Sequence, residues 1–240
     1  YREILDVDAD DEAATAALDR LYTQLGRWND LGELLGQRLS RIDPADEILL
    51  PRWVELKLRL GALFEQQLAE VGQAIDAYEE VLRRDELNAD AVGALERLLA
   101  ASGPKDDQTF RIAQILEPIY KRADEWQKLI GVFEAELQFI DDKARRVDLL
   151  REIGRLQELR GDNVPAAFQA LSRAWSEEAS EGEAREQPLF AELTRLCEQL
   201  QVWPDLVAIL ERAVESSYDY ELVARVFARI AEIQDQHLGD

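Results

Sequence analysis

Arg151 and Arg155 stand four residues apart, a spacing that sets two guanidinium groups on one face of a helix. A guanidinium fork matches a carboxylate in plane, so such a pair is suited to holding the acidic groups of a partner. The two belong to a basic island. From Lys143 to Arg160 there are six basic residues (Lys143, Arg145, Arg146, Arg151, Arg155, Arg160) against three acids, in a chain of formal net charge −22. The plainer reading is a solvated face, with Asp148 paired to Arg151 and Glu158 to Arg155 at three-residue spacing.

Other chemistries lack the residues they need. The chain has one His, His237, and one Cys, Cys197. That is too few for a zinc site, for paired Glu-x-x-His helices around iron, or for a supported nucleophile–His pair. No glycine-rich phosphate loop occurs. With 50 Asp and Glu, close carboxylate pairs are generic on helical surfaces. The sequence therefore predicts no catalytic residue, no metal site and no cofactor: the chain is not an enzyme.

The charge balance, 28 Lys and Arg against 50 Asp and Glu, repels nucleic acid and anionic lipid, whose non-specific affinity comes from cations on phosphate. It would attract a basic partner, or simply keep the surface soluble. No stretch approaches the roughly 20 apolar residues of a membrane span, and no signal segment opens the chain. The lone cysteine leaves the redox compartment open, and the expected location is cytoplasmic.

The elements that must carry these residues read as helices throughout. Leu18, Leu21, Leu25 and Trp28 recur at three- and four-residue steps, followed by Leu31, Leu34, Leu35 and Leu39, and nothing alternates with a strand's period. Helices are predicted at 11–25, 28–41, 46–68, 72–84, 89–102, 108–122, 126–140, 142–160, 165–180, 187–201, 204–217 and 219–237. Pro44, Pro165, Pro188 and Pro204 mark first turns. Pro51 is an alternative start for the third helix, and Pro118 predicts a kink. The acidic stretch 176–186 reads as a solvated loop or frayed end.

The pattern repeats. Sliding residues 1–21 onto 78–98 gives nine identities, among them Tyr1/Tyr78, Leu18/Leu95, Arg20/Arg97 and Leu21/Leu98. A second register is anchored on Trp28, Trp126 and Trp203. Ten residues before them stand Leu18, Leu116 and Leu193; after them come Leu31, Leu129 and Leu206, then Leu35, Phe133 and Leu210, then Leu39, Leu137 and Val214. These fall on one face and make each Trp a packing residue at a helix corner. Further on stand Gly61, Gly154 and Ala231, small where a facing helix crosses; Ala74 and Ala167, Tyr78 and Leu171, Val81 and Ala174 are read as that partner helix.

Leu60-Gly61…Phe64…Ala74…Tyr78…Val81 and Ile153-Gly154…Ala167…Leu171…Ala174 resemble the tetratricopeptide repeat (TPR), with one residue inserted between the helices and without the consensus Trp and terminal Pro. The resemblance implies an all-α, right-handed superhelix of about twelve antiparallel helices, a single array over residues 1–240. Its first helices would line a concave groove, and Arg151 and Arg155 would lie in it beside Gly154. The carboxylate clamp of some such arrays also needs groove asparagines, whereas Asn29, Asn88 and Asn163 fall near helix ends. The function this implies is a non-enzymatic protein–protein interaction scaffold. The alternatives are a regulatory peptide-binding module using Arg151 and Arg155, or a helical accessory domain of a larger enzyme. The partner is expected to be a protein or peptide. The chain lacks Met and reads as an internal stretch of a longer array cut within a repeat at both ends. Leu222, Val223, Val226, Phe227, Ile230 and Ile233 would then leave an apolar face on the last helix, exposed or covered by another molecule, with self-association of terminal helices as one outcome.

Overall fold

A computed structural model describes residues 1–8, 10–103, 106–178, 183–215 and 218–239. The chain is all-α, and no strand occurs among the described residues. It divides into two compact units, Tyr1–Ile119 and Tyr120–Asp240. The first holds α1 (Arg2–Val7), α2 (Glu12–Leu25), α3 (Trp28–Leu39), α4 (Leu50–Leu63), α5 (Val71–Leu82), α6 (Ala89–Ala101) and most of α7 (Asp107–Ala123). The second holds the end of α7, then α8 (Trp126–Glu136), α9 (Lys143–Leu159), α10 (Val164–Glu178), α11 (Glu183–Leu200), α12 (Trp203–Val214) and α13 (Tyr220–Ile233). Within each unit successive helices pack on one another, as short connections require.

Two kinds of turn order the helices. Gly26, Ala69, Asp124, Asp162 and Gln201 all have positive φ, between 47° and 65°, and each stands two residues before the next helix begins. Arg27 N–H then donates to Tyr22 O at 2.8 Å, and Glu125 N–H to Tyr120 O at 3.0 Å. These bonds satisfy carbonyls that a helix end would leave bare. Only Gly26 of the five takes this conformation freely; the others each bear about 1 kcal/mol of strain. Four other connections end on an acid or amide: Asp11, Asn88, Asp142 and Asp219 each accept from a backbone N–H of the following first turn, which caps that helix.

The Trp register is the core. All twelve aliphatic and aromatic positions read from it are buried. Trp28, Trp126 and Trp203 each open a helix. Trp203 is buried and stacks on His237, ring centroids 3.6 Å apart. A Cβ at Gly161 would come within 3.1 Å of Trp126 Cη2. These two indoles therefore close over the far end of the helix that runs back beside their own.

The small-on-large seams also form. A Cβ at Gly61 would lie 2.7 Å from Tyr78 Cε1, and one at Gly154 would lie 3.1 Å from Leu171 Cδ2. Ala74, Tyr78, Val81, Ala167, Leu171 and Ala174 are all buried.

Several expectations need correction. Pro44 lies in a turn, and the helix expected from residue 46 starts at Leu50 with Pro51 in its first turn. It ends in a π-helical turn, Phe64–Leu68. Pro188 is interior to α11, which begins at Glu183. The helix expected at 108–122 does form, as α7 with Pro118 inside it. Residues 2–7 form a helix that apolar spacing alone did not mark. Much of the acidic stretch 176–186 lies outside the described residues. On α13, Leu222, Val226, Ile230 and Ile233 are buried; only Phe227 is exposed and Val223 half-buried.

Candidate groove on α9–α11

α9 begins on the Asp142 cap, whose carboxylate accepts from Arg145 N–H at 3.1 Å. Val147, Leu149, Leu150 and Ile153 turn into the core, so Asp148, Arg151, Glu152 and Arg155 are left on the outer side by helical geometry. Gly154 lets α10 approach closely, and α11 brings Glu192 and Arg195 to the opposite wall. Between them is an open groove of about 650 Å³ lined by both Arg151 and Arg155, with Leu159 and Leu171 as its apolar parts. Two clefts in the first unit are smaller, about 250 Å³ each.

The groove carries three guanidinium groups and four carboxylates. Arg151 donates to Glu192 Oε1 at 2.5 Å. Arg195 takes Glu158 in a fork, at 2.5 and 2.7 Å. That bond holds the Glu158 carboxyl below the usual carboxylate range and raises Arg195. Arg155 reaches Glu152 only at 3.8 Å, with 69% of its side chain exposed. It is the most available cation of the site. Asp148 is exposed at the rim.

The local pairing expected from sequence does not occur. Arg151 chooses Glu192 over Asp148, and Glu158 goes to Arg195 over Arg155, because α11 offers a facing fork where an i,i+3 contact must bend around the helix. The rest of the basic island is likewise absorbed. Arg146 bonds Glu177 at 2.6 Å and the carbonyl of Leu137 at 2.5 Å, and Arg160 forks onto Asp124 at 2.6 Å. A run that looks cationic in sequence is thus mostly neutralised by acids from neighbouring elements.

Sequence reading missed Glu192 and Arg195, and with them a rule that the alignment already contained. Four residues beyond Gly61, Gly154 and Ala231 stand Glu65, Glu158 and Asp235. In the first unit Glu65 accepts from the Tyr78 hydroxyl at 2.7 Å and faces Arg97 at 3.5 Å. Burial and Glu65 push the Tyr78 hydroxyl far above its usual range. In the second unit Glu158 receives Arg195. Glu65 and Glu158 thus each draw an arginine from the helix after the partner helix.

The other candidates sit apart from the groove. Asn88 and Asn163 cap α6 and α10, accepting from Ala91 N–H at 3.0 Å and Ala166 N–H at 3.1 Å; Asn29 is exposed on α3. Cys197 is buried, and burial pushes its thiol up to about 11. Among the described residues no three His, Cys, Asp or Glu side chains group as a metal site, and no helix is long and apolar enough to cross a membrane. No protein-family model matches the chain, and no curated protein matches it either.

Proposed function

We infer that the protein is a non-enzymatic interaction scaffold of TPR-like helical repeats, and that the α9–α11 groove holds a charged segment of a protein partner. The observation that carries this reading is the convergence of Arg151, Arg155 and Arg195 with four carboxylates around one open groove on a sealed core. Such a surface offers no nucleophile or proton-transfer pair, but it can exchange ion pairs. A partner carboxylate displaces Glu152 from Arg155 at little cost, because that contact is long and solvated. A partner cation has Asp148 and Glu152 to meet. Electrostatic matching of this kind sets register and approach more than raw affinity.

Random-peptide display on the chain at low salt tests it. The expected result is a family of peptides sharing one or two acidic positions, whose binding falls about tenfold in the Arg151→Ala/Arg155→Ala variant and weakens as salt rises. The variant should keep its helical signal and melting temperature. Equal recovery of the same peptides on the variant would end the groove reading.

A further inference from the structure

Four side chains run straight down the outer face of α9. With about 100° of turn per residue, Asp148, Glu152, Arg155 and Leu159 fall within about 60° of one another. Arg151 and Glu158 stand roughly 70–90° from the centre of that stripe, both on one side, and α11 pairs them with Glu192 and Arg195. The stripe keeps its groups in reserve. Asp148 is exposed and has no ion pair among the described residues. Arg155 holds Glu152 only at 3.8 Å, and Leu159 is 66% exposed. All four line the groove.

The packing frame does not ask for this stripe. In the register that sets Gly154 on Gly61, the same four places hold Glu55, Arg59, Ala62 and Gln66. There the cation stands one turn earlier and is spent on Asp19 of α2, and the place of Leu159 is polar.

Charge balance limits what the stripe accepts. A carboxylate that takes Arg155 releases Glu152, which is left one helical turn from Asp148. Like charges at that spacing repel, so a purely acidic occupant strands Glu152, whereas a cation set between Asp148 and Glu152 removes the penalty. The centre of the acidic pair lies about 7.5 Å along the helix axis from Arg155, and Leu159 lies about 6 Å beyond it. Same-face side chains of an extended segment recur every ~6.6 Å, so three alternate residues match these three points. A helix about 10 Å across would need roughly 1,000 Å³ over that length and would stand out of a groove of about 650 Å³.

We propose, resting on the groove reading above, that the occupant is an extended segment of a protein partner with a basic, an acidic and an apolar residue at alternate positions. Its cation bridges Asp148 and Glu152, its carboxylate takes Arg155, and its apolar side chain lies on Leu159. The exchange leaves no charge without a partner. Order along the segment, rather than its net charge, sets specificity.

NMR titration of the 240-residue chain with blocked nonapeptides tests that order. One peptide carries lysine, glutamate and leucine at its third, fifth and seventh positions, with serine and glycine elsewhere. A second exchanges the lysine and the glutamate, and so keeps composition and charge. The first is expected to shift α9 amides and to bind about tenfold more tightly than the second. Leu159→Gln, the residue found in the register of α4, should weaken the first peptide about fivefold. Asp148→Lys should weaken it as well, and should favour a third peptide with glutamate in place of the lysine. Both substituted residues are exposed, so circular dichroism should not change. The absence of α9 shifts with the first peptide overturns the proposal, as does equal binding of the first two or full affinity in both variants. If Arg151→Ala/Arg155→Ala still loses the peptides selected by display, the groove reading stands without this order; if that variant also binds them as wild type, both fall.

Discussion

α4–α6 and α9–α11 are built on one frame and differ at the two positions that matter. Each has a glycine under a large side chain, Gly61 beneath Tyr78 and Gly154 beneath Leu171. Each has a glutamate four residues on, met by an arginine from the third helix. In the same register, Arg151 and Arg155 of α9 stand where α4 has Leu58 and Ala62. Tyr78 spends its hydroxyl on Glu65; Leu171 has none, and Glu158 is left wholly to Arg195. The frame is thus a packing solution, while the guanidinium groups of α9 are added on its outer turns without touching the seam beneath.

The seam should show the largest effect. Gly61→Ala sets a methyl against the Tyr78 ring, which is held on both sides by the core and by Glu65. A cost of about 1–3 kcal/mol is expected from overpacking, read as a lower urea midpoint. Gly154→Ala meets the end of a flexible leucine, and the helix propensity gained, about 0.5–1 kcal/mol, offsets the strain. Its midpoint should scarcely move. Equal losses at the two sites would break the comparison.

Exchanging the outer turn is the next test. Arg151→Leu with Arg155→Ala gives α9 the pattern of α4. Binding of acidic peptides should fall about tenfold, with stability changed by less than about 1 kcal/mol, because Arg151–Glu192 is a partly exposed pair. Retained peptide binding would place recognition elsewhere.

Tyr78→Phe removes one hydrogen bond from a half-buried carboxylate, at a cost of about 1 kcal/mol, and makes the α4–α5 seam more like that of α9–α10. Differential scanning calorimetry should show a lower melting temperature, and no shift would mean that the Tyr78–Glu65 bond adds nothing.

The smallest effect concerns Glu158. Its folded pKa is lowered by Arg195, so the stabilisation is fully present above the ordinary carboxylate range and is lost as pH falls through the depressed value. Solvent screening keeps it below about 1 kcal/mol. Arg195→Gln should flatten that part of the stability–pH curve by lowering the neutral-pH value by up to that amount, while stability below the depressed pKa stays almost unchanged.

The helices and their buried faces were legible because burial follows a 3.6-residue period: Leu35, Phe133 and Leu210 align at one step from their tryptophans, and all are buried. The short α1 was not. It has less than two turns, too few for periodicity, and only its match to the second half of α5 reveals it. The true start of α4 was hidden because Pro44 and Pro51 are both compatible with a first turn, and the connection settles on the later one. Arg151 and Arg155 were readable as a shared face, but their partners were not. Arg151 finds Glu192 across 41 residues of sequence, a choice made by helix packing. The acids at Glu65, Glu158 and Asp235 were available to inspection, since they stand at one fixed step from the small residues.

The central claim, that recognition was added to α9 and not to its structural twin α4, is tested most directly by paramagnetic relaxation enhancement with a spin-labelled acidic peptide taken from the display. The account predicts broadening centred on residues 151–158 and 192–195, lost in the Arg151→Ala/Arg155→Ala variant, with α4–α6 unaffected. Broadening centred on α4–α6, or spread evenly over both units and unchanged in the variant, would contradict it.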